Sequence, residues 1–504
     1  MHRRKFLRQS ALAGAGVLAS KYTKAFNGGR MFLNVDEFPV VRVPVGERKF
    51  KSEAVENLIN EMQANVGNKE LAWLFNNCFP NTLDTTVEYS VINGKPDTFV
   101  ITGDIDAMWL RDSTAQVTPY LPLCKKDKAL QKMIEGVIRR QNKCIIIDPY
   151  ANAFYKDATK VSKWKETDIT DMKPGVHERK WEIDSLCYPI RLAYNFWKET
   201  GDTAPFDEHW KEAMTLIIKT FKEQQRIGNQ GPYSFQRKTA WATDGVPMGG
   251  YGYPTRPDGL INSMFRPSDD ATIFPYLIPS NYFAVKSLTQ LGEMWEKIGK
   301  DLDKSNEAKA LSKQVYVALQ DFTVMHPKYG QIFPYEVNGY GSINLMDDAN
   351  VPSLLAMPYL ETIFPSNVTY LNTRRYVLSE DNPFFFKGTV AEGIGSPHTG
   401  LNKVWPIGIS MRGLTSTDTK EMAECIEMLR TTHAGTGFMH ESFDPSAPID
   451  FTRKWFAWSN TLFGEFIWKM YREHKDLLKA PPAPVVANPP TKEKSRWKIF
   501  GTGK

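Results

Sequence analysis

The sequence predicts an all-α protein in which helical hairpins repeat and either stack into a solenoid or close into a ring. Three observations carry this. Apolar residues recur at helical spacing in pairs of segments. Each pair is joined by a short polar turn. A long loop rich in Gly, Pro and Asn follows the second member of each pair.

The clearest pair begins at Ile183–Thr200, where Leu186, Ile190, Ala193 and Trp197 share one face and Thr200-Gly201-Asp202 ends the segment. Its partner carries Trp210, Met214, Ile217, Ile218 and Phe221 on one stripe, and a long loop runs through Gly228–Arg266. A second pair places Ala284, Leu288, Leu291 and Trp295 on one face of Asn281–Gly299. It turns at Lys300–Lys304 and continues through Glu307–Phe322. A third begins at Val404–Leu414, turns at Thr415–Thr419 and continues through Met422, Cys425, Ile426 and Leu429. Further helices are expected at Ala54–Asn76, Ser113–Leu121, Ala129–Lys143, Ser366–Leu378 and Lys454–Glu473. Strand-like runs are few. Thr98–Thr102 and Cys144–Asp148 are the candidates for small β decorations.

Such hairpins cannot bury their apolar faces alone, so neighbours must cover them. The long loops all follow the second helix of a pair, so in a closed ring they gather at one end. Functional side chains belong on those loops.

Composition narrows the function. The formal net charge is +6, but Arg3, Arg4, Lys5 and Arg8 supply four positives. The stretch after Thr491 supplies a net four more, which leaves the body at −2. A nearly neutral body argues against a nucleic-acid footprint. No window approaches the roughly 20 apolar residues of a membrane span. Five scattered cysteines, with no CxxC pair, exclude a disulfide scaffold and a zinc ribbon; most are expected to be buried fillers.

Residues 1–25 read as an export signal. A basic MHRRKFLRQS precedes a short apolar ALAGAGVLAS, and Arg3-Arg4 fits a twin-arginine signal, so the expected location is periplasmic or secreted. At the other end, APPAPVVANPP opens a Pro-rich basic tail over 480–504, with the composition of an unstructured end.

Chemistry concentrates in three loops: Gly103–Ser113, Phe265–Ala271 and Gly437–Phe443. Each precedes or begins a helix, and Asp112, Ser113, Ser268 and Asp269 would also serve as simple helix caps. Their combination favours sugar chemistry. Glycoside hydrolysis needs one carboxylic acid to protonate the leaving oxygen and a second carboxylate to activate or replace water. Aromatic faces and Arg or Asp side chains then hold the ring. Trp109, Tyr251, Tyr253, Phe265, Trp405, Phe438, Trp455 and Trp458 lie beside these loops. Other chemistries lack their motifs: no phosphate-binding loop, no HExxH and no GxSxG elbow is present. No segment offers metal ligands at tight spacing, so neither a metal nor a cofactor is expected.

These residues resemble a known family. AMWLRDS at Ala107–Ser113, FRPSDDA at Phe265–Ala271, LIPSNYFA at Leu277–Ala284, DDANVPSLL at Asp347–Leu355 and HESF at His440–Phe443 are similar, in order and spacing, to glycoside hydrolase family 125. The resemblance covers roughly Val40–Glu473, and a catalytic domain over 40–475 is expected. It implies an (α/α)6 barrel and metal-independent, inverting, exo-acting removal of α-1,6-linked mannose. The partner is then an α-mannoside oligosaccharide, such as mannan or the mannose arms of an N-glycan.

Carried over by position, Glu441 matches the general base. The general acid falls on Asp269 or Asp270, with Asp269 the closer match in spacing to Glu441. Whichever it is should be protonated, its pKa raised by burial and neighbouring charge. Arg111 and Asp112 match an element that holds the terminal sugar. Trp109, Arg266 and His440 are implied pocket walls, and Asp184 in WEIDS a further pocket residue. The alternative is a helical-toroid exo-glycosidase of other linkage or sugar, for example an α-glucosidase. A carbohydrate-binding protein without catalysis would need no acid–base pair, and both positions are filled.

Overall fold

A computed structural model describes residues 38–479. The expected export segment at 1–25 and the tail at 480–504 lie outside the described residues.

Thirteen α-helices are present among the described residues: α1 Glu53–Asn65, α2 Lys69–Cys78, α3 Asn81–Thr85, α4 Leu110–Val117, α5 Lys128–Ile147, α6 Ile183–Thr200, α7 Glu208–Gln224, α8 Ile278–Met294, α9 Leu302–Leu319, α10 Val368–Val377, α11 Pro406–Leu414, α12 Thr419–Thr431 and α13 Ala457–Glu473. They form a double ring. The inner layer runs α4, α6, α8, the turns of 351–361, α11 and α13, and α13 packs back on α4. Outside it run α5, α7, α9, α10, α12 and the α1–α2 pair. This is the (α/α)6 barrel. Its sixth inner position is filled by irregular turns instead of a helix. Asp347 holds that segment by accepting from Leu354 N at 2.8 Å and Leu355 N at 3.0 Å.

Burial separates the two layers. Every residue of α4 is buried, although LRDSTAQV is polar. Its polar groups are satisfied inside the barrel: Gln141 Nε2 on α5 donates to Ser113 Oγ at 2.9 Å and Thr114 Oγ1 at 2.8 Å. Buried polar groups need such partners. The outer helices instead keep one exposed polar face; α5 alternates buried Leu130, Met133, Ile134 and Val137 with exposed lysines.

The helix starts separate the layers as well. The outer helices α1, α2, α5, α7, α9, α10 and α12 are capped by Ser52, Asn68, Asp127, Asp207, Asp301, Asn367 and Asp418. The inner helices α4, α6, α8, α11 and α13 have no side-chain cap. Loop groups take their first N–H instead: Leu110 N donates to Asn152 O, Ile183 N to Ser263 Oγ, Ile278 N to Tyr335 O and Ala457 N to Thr102 O. Their positive dipole ends lie at the mouth where the long loops gather. Short antiparallel strands in those loops, such as Met108–Trp109 with Ala153–Phe154, brace the entries.

Three expectations need correction. Cys144–Asp148 is not a strand. It continues α5, and Asp148 N bonds Cys144 O at 3.1 Å. The β-branched Ile145–Ile147 run favours strand locally, but the buried face of the long helix overrides that preference. Ala54–Asn76 is two helices, because Asn68 starts a new one by accepting from Glu70 N and Leu71 N. Asp112, Ser113, Ser268 and Asp269 cap no helix: α4 begins after Trp109 and α8 after Leu277. The strand at Thr98–Thr102 is present as Lys95–Val100, paired with Val87–Ile92. All five cysteines are free and buried.

Candidate active site

The carboxylate-bearing loops meet at the uncapped ends of the inner helices. Arg111, in the first turn of α4, is the hub. Its Nη1 lies 2.6 Å from Glu182 Oε2 and 3.2 Å from Asp184 Oδ2 at the start of α6. Its Nη2 lies 3.0 Å from Asp269 Oδ1, and its Nε lies 3.5 Å from Asp112 Oδ2. One guanidinium thus faces four carboxyl groups brought from three elements.

Asp269 sits in the left-handed region at φ 64°. A non-glycine residue pays a local strain there, held by the surrounding contacts. Lys180 Nζ donates to its backbone oxygen at 2.7 Å and to Asp244 Oδ1 at 3.1 Å. Asn152 Nδ2 reaches its Oδ1 at 3.2 Å. Its side chain keeps 20 % exposure, whereas that of Asp270 keeps 1 %. Asp270 points elsewhere, its Oδ1 3.5 Å from His398 Nδ1. Consecutive residues therefore serve two different environments. Ser268 ties the loop down by donating to Asp348 Oδ2 at 2.8 Å.

Glu441 enters on the loop before α13. Arg453 Nη1 lies 3.3 Å from its Oε1, and Arg453 also bridges to Asp104. Glu441, Asp269 and Asp270 all act electrostatically on His398, whose pKa is pushed up to about 9; burial opposes this, and Asp270 contributes the largest favourable part. The three carboxylates predicted for catalysis are thereby brought to one place.

The remaining predicted residues line the same end. Trp109 is buried beside the His177 ring at 5.2 Å, and its Nε1 has no partner among the described residues. Arg266 is clamped by Glu336 at 2.6 Å, with Nη2 left unpartnered. His440 is buried and stacked on Phe451 at 3.7 Å; burial pushes its pKa down to about 4.

Sequence reasoning missed Asn152, Lys180, Glu182, His398 and Arg453. Glu182 was within reach, two residues from Asp184 in WEIDS. The others carry no local motif and reach the site only through the fold.

Electrostatics overturn one expectation. Asp269 is not the raised carboxyl. Burial would raise it, but Arg111, then Glu182 and Lys180, hold it well below the usual range. Glu182 is the raised member, through burial and then the charges of Asp269 and Asp184, against the pull of Arg111. Burial likewise lifts Asp112 and Asp184 to about 6. Among the described residues no group of three or more His, Cys, Asp or Glu side chains is arranged to hold a metal ion.

A cluster of buried carboxyl groups around an arginine and beside a tryptophan, at the loop end of a double helical ring, fits a glycoside hydrolase. Comparison with known proteins specifies which. Residues 68–468 match the family described as metal-independent alpha-mannosidases, glycoside hydrolase family 125. The chain belongs to that family.

Two relatives illustrate its spread. A Schizosaccharomyces pombe protein, the meiotically up-regulated gene 157 protein, is 39% identical over 459 residues, covering 88% of this chain and 90% of that one. A solved Streptococcus pneumoniae structure is 38% identical with a TM-score of 0.80, covering 86% of this chain and 100% of that one. It is described as a metal-independent alpha mannosidase in a non-productive complex with alpha-1,6-mannobiose.

Proposed function

We propose that this α-mannosidase releases terminal α-1,6-linked mannose with inversion, using Asp269 as general acid and Glu441 as general base. The observation that carries the reading is the Arg111 hub. A guanidinium buried among carboxyl groups beside the uncapped start of α4 is suited to close a pocket around the end of a sugar chain. Arg111 would order the carboxyl groups around the terminal sugar, Asp269 among them, and Asp112 beside it would bond a sugar hydroxyl, which fits an exo-acting enzyme. Trp109, Asp184, Arg266 and His440 would shape the rest of the pocket.

Asp269 is preferred over Asp270 because its side chain is the more open. Its Oδ1 is engaged by Arg111 and Asn152, and Oδ2 is left for the glycosidic oxygen. Glu441, braced by Arg453, would take the proton of the attacking water. An inverting pair leaves roughly 6.5–9.5 Å for that water.

The α-1,6 preference is supported by the mannobiose held by the Streptococcus pneumoniae relative. Mannan or N-glycan mannose arms are the expected natural substrates, and membership of an α-mannosidase family disfavours the α-glucosidase alternative. The catalytic domain is taken as 40–475. Export to the periplasm or medium rests on the character of residues 1–25 alone, and a reporter fused behind them tests it.

Two assays test the reaction. Mannose should be released from α-1,6-mannobiose well ahead of the α-1,2 and α-1,3 isomers. Proton NMR should show β-mannose as the first product; α-mannose appearing first would mean retention, and a different role for Glu441.

A further inference from the structure

We propose that Glu182 stores the proton that Asp269 delivers to the leaving sugar, the two side chains acting as one carboxyl pair. This rests on the assignment of Asp269 as general acid.

The argument begins with charge. Asp112, Glu182, Asp184 and Asp269 surround the single guanidinium of Arg111, and their side chains are 7 %, 0 %, 0 % and 20 % exposed. Lys180 and His398 add positive charge beside Asp269 and Arg453 adds it beside Asp112, but Glu178 and Asp244 share Lys180, Asp270 shares His398, and Glu441 and Asp104 share Arg453. The buried carboxyls still outnumber the cations, so protons must remain in the cluster.

Hydrogen-bond geometry locates one proton. Glu182 Oε2 accepts from Arg111 Nη1 at 2.6 Å and from Ser185 Oγ at 2.8 Å. Its Oε1 has only Asn152 Nδ2, at 3.4 Å. That same nitrogen lies 3.2 Å from Asp269 Oδ1 and 3.5 Å from Glu178 Oε2. One amide has two hydrogens and cannot serve three carboxylates. A proton on Glu182, shared with Asp269, completes the set. The raised Glu182 and lowered Asp269 agree with this placement, since Asp269 receives the donors that favour an anion.

In the reaction the pair gives up one proton. The bond from C1 to the glycosidic oxygen breaks and its electrons stay with that oxygen, which takes a proton from Asp269. Glu182 passes its own proton to Asp269. Water bonds to C1 and its proton goes to Glu441. Afterwards Glu441 loses a proton to solvent and the pair regains one. Glu182 is thus a positioning residue for the proton and does not touch substrate.

The groups facing Glu182 are Arg111 from α4, Asn152 from the loop after α5, Asp184 and Ser185 on its own helix, and Asp269 from the loop before α8. Two substitutions move the pair in opposite directions. Glu182→Gln removes the partner charge, so Asp269 loses its proton at lower pH. Ser185→Ala removes a donor to ionised Glu182, so the pair holds its proton to higher pH.

The test is the pH dependence of kcat/KM on α-1,6-mannobiose, with 2,4-dinitrophenyl α-mannoside as a substrate needing little protonation. Glu182→Gln should shift the alkaline limb to lower pH and cost at least about tenfold on mannobiose near neutrality, with the dinitrophenyl rate largely kept. Ser185→Ala should shift the same limb upward. An unmoved limb in either variant, or equal losses on both substrates in Glu182→Gln, overturns the proposal. Should Glu182→Gln not fold, Ser185→Ala alone decides it. Asp269→Asn separates the two readings. If it keeps full mannobiose activity, the acid assignment itself falls. If it loses mannobiose but spares the dinitrophenyl substrate while Glu182→Gln leaves the limb unmoved, only the proton store falls.

Discussion

Arg111 shows how one side chain can organise a site. Its donors are divided among carboxyl groups from three elements, and only Asp269 among those groups keeps appreciable exposure. Removing it leaves buried charges unpaired beside the proposed general acid. Arg111→Ala should therefore cost about 3 kcal/mol or more in kcat/KM. Near-normal kinetics in that variant would reduce Arg111 to a structural ion pair. Glu441→Gln should abolish turnover of every substrate, because water activation is lost whatever the leaving group. Residual turnover of the dinitrophenyl substrate at wild-type rate would rule out its role as base.

His398 gives a pH prediction with a defined sign. Its folded pKa of about 9 lies above the ordinary value near 6.5. The stabilisation from its charge is thus fully present below about pH 6.5 and is lost as pH rises through 9. NMR should show the imidazolium persisting past pH 8. The fall in Tm between pH 7 and 9.5 should be smaller in His398→Asn than in the parent.

At the scale of elements, the inner and outer helices are distinguished by how they begin. Side-chain caps begin the outer helices, whereas the inner ones give their first N–H to groups of the converging loops. Close approach matters too. Gly136 on α5 lies so near the strand Lys95–Val100 that a Cβ there would sit 2.2 Å from Thr98 Oγ1 and 2.9 Å from Thr98 N. The backbone cannot retreat as a side chain can. Gly136→Ala should destabilise by about 1–3 kcal/mol, visible as a lower Tm. An unchanged Tm would mean the hairpin is free to shift.

A second element-scale prediction concerns the rim. Trp241 is 51% exposed and precedes the turn Ala242–Asp244, whose Asp244 is anchored by Lys180 beside Asp269. An exposed indole so placed suits stacking on the sugar next to the cleaved bond. Trp241→Ala should raise KM for mannobiose several-fold while leaving the aryl mannoside nearly unaffected. Equal effects on both substrates would assign it to the fold instead.

At the scale of the molecule, the ring is closed by contacts between its N-terminal and C-terminal segments. Thr82 and Thr461 share a hydrogen bond of 2.8 Å, and Glu70 is paired with Arg430 and His433. An open solenoid tolerates trimming at its ends, since each repeat needs only its neighbours. A ring does not. Ending the chain before α13 should abolish the cooperative thermal transition; a truncated chain that still melts in one sharp step would contradict closure.

Much of this was legible in the chain. The period of apolar residues exposed Ile183–Thr200 to the residue, because burial on one face is recorded locally at helical spacing. The motifs AMWLRDS, FRPSDDA and HESF marked the loops that carry Arg111, Asp269 and Glu441, since sugar chemistry demands carboxylates beside aromatics and arginine. Local pattern failed where packing outweighs preference, as in the Ile145–Ile147 run at the end of α5. It also could not foresee that turns would stand in for the sixth inner helix. Only the tertiary structure decided which groups share a proton. Glu182 and Asp269 are far apart in sequence, and Asn152 and Arg111 reach them from two further elements. A pKa depends on distance and burial, so the assignment of the protonated carboxyl required the fold that brings them together.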